Sequence, residues 1–221
     1  MPARKMINHP QTLRKIAEDY IRTGIVNGRF QMGGSLSEAT LCKEIGISKT
    51  PIREALSALN LQGLVQILPQ RGAFVFTLSE KKIGDLCRYR TLLELAAIDL
   101  AYKNDPQKLT KKLKVIIDDM QQAQVDRSLE LYLRLDNDFH FTLFELCGNS
   151  YLFESYNRIS DVTHTIRTQL SRPKERVAKS FREHVSIYEH LIAGKLTSAS
   201  TVLKQQITRG ERVAAELLGE P

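Results

Sequence analysis

Between Glu38 and Gly63 the chain stops one helix and starts another within the six residues from Gly46 to Pro51, and nothing else in the sequence restricts the fold as much. Leu41 and Ile45 form an apolar pair one turn apart on a helix from about Glu38 to Ile45, and Gly46 stands where a helix C-terminus favours glycine. Ser48 or Thr50 can cap the next helix, and Pro51 is tolerated in a first turn because its missing N–H would lack a partner there. Ile52, Ala55, Leu56 and Leu59 then make one buried stripe, which leaves Lys49, Arg53, Ser57 and Asn60 on another face. Two helices joined this tightly read as a helix-turn-helix.

The flanks extend the pattern. Leu13, Ile16, Ala17, Tyr20, Ile21 and Ile25 recur at helical spacing, so residues 11–27 read as an amphipathic helix that the pair Gly33-Gly34 ends. Leu64–Leu68 and Ala73–Phe76 read as two short strands, turned by Pro69-Gln70-Arg71-Gly72. Three helices and a hairpin with a basic tip make a winged helix-turn-helix over residues 1–77. Lys49 and Arg53, one turn apart at a helix start, are placed to meet phosphates, and an arginine can also fork onto a guanine edge. Arg71, at the hairpin tip, can approach the sugar–phosphate backbone or a minor groove. Charge agrees: residues 1–77 hold ten Lys/Arg against five Asp/Glu, whereas residues 78–221 hold twenty-two against twenty. A compact basic module beside a nearly balanced one points to a polyanionic partner.

Beyond residue 77 no strand-like alternation appears. Thr77-Leu78-Ser79-Glu80 has capping-box spacing and opens a helical region. Breaks at Asn104-Asp105-Pro106, near Asp126, at Gly148-Asn149-Ser150, at Ser171-Arg172-Pro173 and at Gly194 divide it into six helices, an expected antiparallel bundle over residues 78–221. The fold class expected is therefore mainly α. No run approaches the length of a membrane span. Cys42, Cys87 and Cys147 have neither disulfide nor zinc-ribbon spacing, which suits a reducing cytoplasm.

Within the bundle, polar residues interrupt faces that should be apolar. Leu129, Leu133, Asp136, His140, Leu143 and Phe144 share one stripe; Val177, Phe181, His184, Tyr188 and Leu191 share another; Leu196, Ala199, Leu203, Gln206, Val213 and Leu217 share a third. An unpaired carboxylate is costly to bury, so Asp136 needs a cation, a metal or several donors. A single buried histidine is usually a hydrogen-bonded core residue, and an Asp/His pair is often an ion pair. Intrusions on three helices together suit a divalent-metal site with open coordination positions. Arg90 can clamp an effector carboxylate or form an i, i+4 ion pair with Glu94.

The run Ile47-Ser48-Lys49-Thr50-Pro51-Ile52-Arg53-Glu54-Ala55-Leu56, with Gln70-Arg71-Gly72-Ala73-Phe74-Val75, resembles the DNA-binding domain of the GntR superfamily. The resemblance implies a dimer in which Lys49, Thr50, Arg53 and the wing at Arg71 and Gly72 contact double-stranded operator DNA. Lys49 stands where the family usually has an arginine, and Ala39 where some members place another. Arg90-Thr91-Leu92-Leu93-Glu94, Asp136-Asn137-Asp138-Phe139-His140, Gly148-Asn149 and Glu183-His184 resemble the FCD effector domain of the FadR/VanR-like branch. In metal-binding members an Asp and three histidines hold a divalent ion, and a small carboxylate effector completes its coordination. Asp136, His140 and His184 match three of those ligands; the fourth falls on Gln206. Three ligands suit zinc, nickel, manganese or iron, and the alternative is an organic ligand without metal. His164 is a substitute ligand or a packing residue, and His190 lies on a different face.

The expectation is a cytoplasmic, homodimeric transcription regulator whose operator affinity follows a small carboxylate, with Arg90 and Gln206 among the effector contacts. The alternatives are a constitutive DNA-binding protein whose bundle only dimerises and a metal-dependent enzyme. No HExxH and no nucleophile elbow speak for the last. The bundle's first or fourth helix is the expected dimer contact.

Overall fold

The structure is a computed structural model that describes residues 11–170 and 174–218. It divides into two compact units, Met1–Thr77 and Leu78–Pro221. Among the described residues there are nine α-helices and one three-stranded sheet.

In the first unit α1 (Leu13–Val26) is capped by Thr12, whose hydroxyl accepts from Lys15 N. Its inner face is narrower than the sequence suggested. Ala17, Ile21 and Ile25 are fully buried, whereas Leu13 and Ile16 are exposed, because the stripe drifts off the core at the helix start. Helix α2 (Glu38–Ile45) ends on Gly46 at φ +77°, a left-handed conformation in which a side chain would be strained. Helix α3 (Lys49–Leu61) follows from Ser48, and Ile52, Ala55, Leu56 and Leu59 pack it against α1 and the sheet. Strands β2 (Val65–Leu68) and β3 (Gly72–Val75) form the expected hairpin. A strand that sequence reading missed, β1 (Ser35–Leu36), pairs with the other edge of β3 and gives the order β1-β3-β2. Two residues are too few to show alternation. At the hairpin tip Arg71 N donates to Leu68 O at 3.1 Å, and Gln70 takes φ +61° as a type II turn after Pro69 requires.

The second unit comprises α4 (Glu80–Asn104), α5 (Pro106–Val125), α6 (Leu129–Leu146), α7 (Ser150–Leu170), α8 (Lys174–Ile192) and α9 (Leu196–Leu218). The α4 cap is Ser79, which accepts from Lys82 N; it displaces the capping box expected from Thr77, two residues earlier. Asp105 caps α5 with Pro106 behind it, and Ser128 caps α6. Between α6 and α7, Gly148 sits at φ +67° and Asn104 Nδ2 donates to Cys147 O at 2.8 Å, tying the end of α4 to this turn. Asn149 Oδ1 then accepts from Leu152 N in the first turn of α7.

Helix α6 packs against α4, α5 and α7, while α9 packs against α4 and α8. Tyr132, Phe139, Leu143 and Phe144 of α6 are buried at the centre, and Phe144 stacks on Tyr156 of α7 with ring centroids 4.0 Å apart. Each such side chain contributes about 1.5–3 kcal/mol by leaving water. Leu129, placed on the inner stripe by its spacing, is 38% exposed because it begins α6 at the bundle's edge. The Ser171-Arg172-Pro173 break and the side chains of Val213 and Leu217 lie outside the described residues. No helix among the described residues is long and apolar enough to cross a membrane.

Candidate functional site

The first unit puts all five residues singled out for nucleic acid on its surface: Lys49, Thr50 and Arg53 on α3, and Arg71 and Gly72 on the hairpin. Ser48 precedes α3 without a side-chain cap bond, so the first-turn amides of that helix remain open to an outside acceptor such as a phosphate. The Arg53 guanidinium is held by Glu38, the first residue of α2.

The second unit brings Asp136, His140 and His184 together. One ligand atom from each lies within 4.8 Å of the others, and all three side chains are buried. Asp136 and His140 are one turn apart on α6, and α8 carries His184 over the same spot. His184 Nε2 is 3.4 Å from His140 Nε2 and 3.6 Å from Asp136 Oδ1. Ligands about 2.1 Å from a common ion in tetrahedral arrangement stand roughly 3.4 Å apart, so this donor set fits a divalent ion. Gln206 of α9 closes the cluster, its Nε2 3.2 Å from His184 Nε2, while its Oε1 is buried without a partner. Neither His164 nor His190 joins the group among the described residues.

A layer of partners fixes these groups. His140 Nδ1 is 2.7 Å from Glu94 Oε2, and Glu94 is also paired with Arg90 through Arg90 Nε. A carboxylate on Nδ1 holds the proton there, which turns the Nε2 lone pair toward the cluster. Ser180 Oγ donates to Asp136 Oδ1 at 3.1 Å, and Arg167 Nη1 lies 3.2 Å from Asp136 Oδ2. Burial alone would raise the Asp136 carboxyl, but Arg167 and the two histidines hold it well below the usual carboxylate range. Burial would raise Glu94 too, and Arg90 and His140 override it to bring the group to about 2. Burial pushes His184 down to about 3 and lowers His140 despite Glu94. Both imidazoles are therefore neutral near pH 7, the form that ligates metals.

A cavity of about 80 Å³ opens beside the cluster, lined by Asp136, His140, Arg90, Thr163, Arg167 and Gln206 among others. Arg90 lines this wall, and of the two roles expected for it the structure shows the ion pair with Glu94. Sequence reading missed Thr163 and Arg167 of α7, whose Oγ1 and Nε are buried without partners. Their signal was the i, i+4 spacing that puts Thr163 and Arg167 on one face of α7, in a stretch that buries Thr163, Thr165 and Thr168.

Residues 13–75 match the gntR family of bacterial regulatory proteins, and residues 85–209 match the FCD domain. The chain belongs to the GntR family, in its FCD form. Among curated relatives, this GntR regulator is 32% identical over 142 residues to the gluconate operon transcriptional repressor of Bacillus subtilis strain 168, covering 64% of this chain and 58% of that one. It is 25% identical over 210 residues to the transcriptional regulator LutR of the same strain, covering 86% and 95%. Among solved structures, a GntR transcriptional regulator from Rhodococcus sp. RHA1 superposes with a TM-score of 0.80 at 22% identity, over 94% of this chain and 98% of that one. The protein is thus a transcriptional regulator of the GntR/FCD type.

Proposed function

We propose that this regulator binds double-stranded operator DNA as a homodimer and that a small carboxylate, met by a divalent metal in the helical unit, controls its operator affinity. Lys49, Thr50 and Arg53 of α3 and Arg71 and Gly72 of the wing are the DNA contacts. Asp136, His140 and His184 are the metal ligands, for zinc, nickel, manganese or iron. The observation that carries the reading is the convergence of the Asp136 carboxylate with the His140 and His184 imidazoles beside a cavity whose wall Asp136 and His140 join. An ion held there would supply a Lewis acid for the effector's carboxylate.

The rest falls to the chain's own side chains. Glu94 keeps His140 Nε2 free of its proton, and Ser180 and Arg167 fix the Asp136 carboxylate. Arg90 and Arg167 make the cavity favourable for an anion, and Gln206 offers an amide to an effector hydroxyl or carboxylate. Effector occupancy then shifts the placement of the two DNA-binding units in the dimer.

Asp136→Ala tests this. Purified wild type is expected to carry a divalent ion by elemental analysis and the variant to lack it, along with ligand-dependent release of DNA. Unchanged metal content together with unchanged release sinks the proposal. A second reading rests on the unpartnered Thr163 hydroxyl and Arg167 Nε: these hold the carboxylate without any metal. Thermal stabilisation by carboxylic acids that survives EDTA selects that reading.

A further inference from the structure

Both oxygens of the Glu38 carboxylate accept from a single donor, Arg53 Nε, at 3.0 and 2.9 Å. That nitrogen is the inner corner of the guanidinium. The two terminal nitrogens, which form the fork that matches guanine O6 and N7, are left on the outer edge. The Arg53 side chain is 64% exposed and that of Glu38 34%, so the pair stands at the surface and links the start of α2 to the second turn of α3. We propose that Glu38 is a specificity-determining positioning residue: it aims the outer edge of Arg53 at a base and offsets the charge that would otherwise bind phosphate at any sequence. The inference rests on the reading of Arg53 as a DNA contact.

Two physical arguments support it. A free arginine samples many rotamers and loses that freedom on binding, whereas a guanidinium fixed beforehand loses less. Glu38 is itself fixed, because it begins a helix packed on α3 and Ser37 caps that helix through Thr40 N. The second argument is electrostatic. A lone Arg53 would neutralise a phosphate of any duplex and release a counterion, which adds affinity without discrimination. A carboxylate paired to it cancels most of that gain and repels a phosphate in the wrong register. Glu38 also sits favourably at the positive end of α2, and an exposed ion pair adds a little stability. Neither of those roles affects which sequence is bound.

The test uses the full chain, a duplex selected by the wild-type protein from a random library, and a scrambled duplex of the same length, followed by fluorescence anisotropy over a salt series. Glu38→Gln is expected to weaken binding to the selected duplex by about tenfold, the scale of one poorly read base pair. It is expected to strengthen binding to the scrambled duplex and to steepen its salt slope by about one unit, the contribution of one more phosphate contact. A specificity ratio equal to the wild type's overturns the proposal. So does equal weakening on both duplexes with a lowered melting temperature, the mark of a merely structural residue. Arg53→Ala separates the two levels. If it binds the selected duplex as the wild type does, the reading of Arg53 as a contact fails. If it loses binding while Glu38→Gln leaves the ratio intact, only the role of Glu38 falls.

Discussion

Replacing Glu94 by glutamine exchanges one heavy atom and reaches two properties at once. Glu94 is fully buried between Arg90 and His140, and Arg90 is only 7% exposed. Glutamine keeps the shape and one acceptor but removes the charge that compensates the Arg90 guanidinium. Breaking one side of a buried ion pair costs about 3–5 kcal/mol, since the remaining charge stays out of water. In a unit of this size each kcal/mol moves the melting temperature by roughly 2–4 °C, so Glu94→Gln lowers it by roughly 6–20 °C. The second effect is on the tautomer. An amide N–H turned toward His140 Nδ1 favours the form protonated on Nε2, which places a proton where the cluster needs a lone pair. Loss of such a supporting partner typically weakens metal binding by about 10–100-fold, or about 1.4–2.7 kcal/mol. The assays are urea unfolding with EDTA present, competition for zinc against a chromophoric chelator, and ¹⁵N shifts of the His140 ring. A variant as stable as the wild type would refute the claim that Arg90 depends on Glu94. Unchanged zinc affinity with an unchanged ring tautomer would refute its role in orienting His140.

Gln206→His adds a fourth ligand, the third imidazole, where the amide nitrogen now stands 3.2 Å from His184 Nε2, and is expected to raise zinc affinity at least about tenfold, read by the same chelator competition. Equal affinity would mean that α9 does not reach the ion. Acid should destabilise the metal-free protein in a defined window. The folded His184 is lowered to about 3 and His140 is also lowered, so between about 3 and the unfolded histidine value near 6.5 the unfolded chain binds more protons. Their neutral burial therefore leaves stability intact above about pH 6.5 and removes it as pH falls toward 3. Glu94, held at about 2, adds a further loss below the ordinary carboxylate range. Urea midpoints measured in EDTA from pH 8 down to pH 4 should be level and then decline; a midpoint that rises toward pH 5 contradicts neutral buried histidines.

Much of the local architecture was legible because it is encoded at short range. Gly46 at a helix end, the stripe of Ile52, Ala55, Leu56 and Leu59, and the turn at Pro69 each depend on neighbours a few residues away. The same logic located Asp136, His140, His184 and Gln206 as polar interruptions of apolar faces, and the structure places all four at one spot. What periodicity misjudged were edges. Leu13, Ile16 and Leu129 continue an apolar pattern past the point where a neighbouring element is present to cover it. The two-residue strand β1 was invisible for a related reason, since its pairing partner lies nearly forty residues downstream at Ala73 and Phe74.

The sequence by itself determined which residues were out of place on their helices and, to within a few residues, where most helices begin and end, because capping and amphipathicity are local. Tertiary structure decided what such residues meet. Glu94 became the carboxylate that sets His140, Arg167 and Thr163 became part of the cavity wall, and Glu38 met Arg53, each across a helix–helix contact. Such pairings depend on how helices cross and rotate, and packing of the whole core fixes that geometry where no run of residues can.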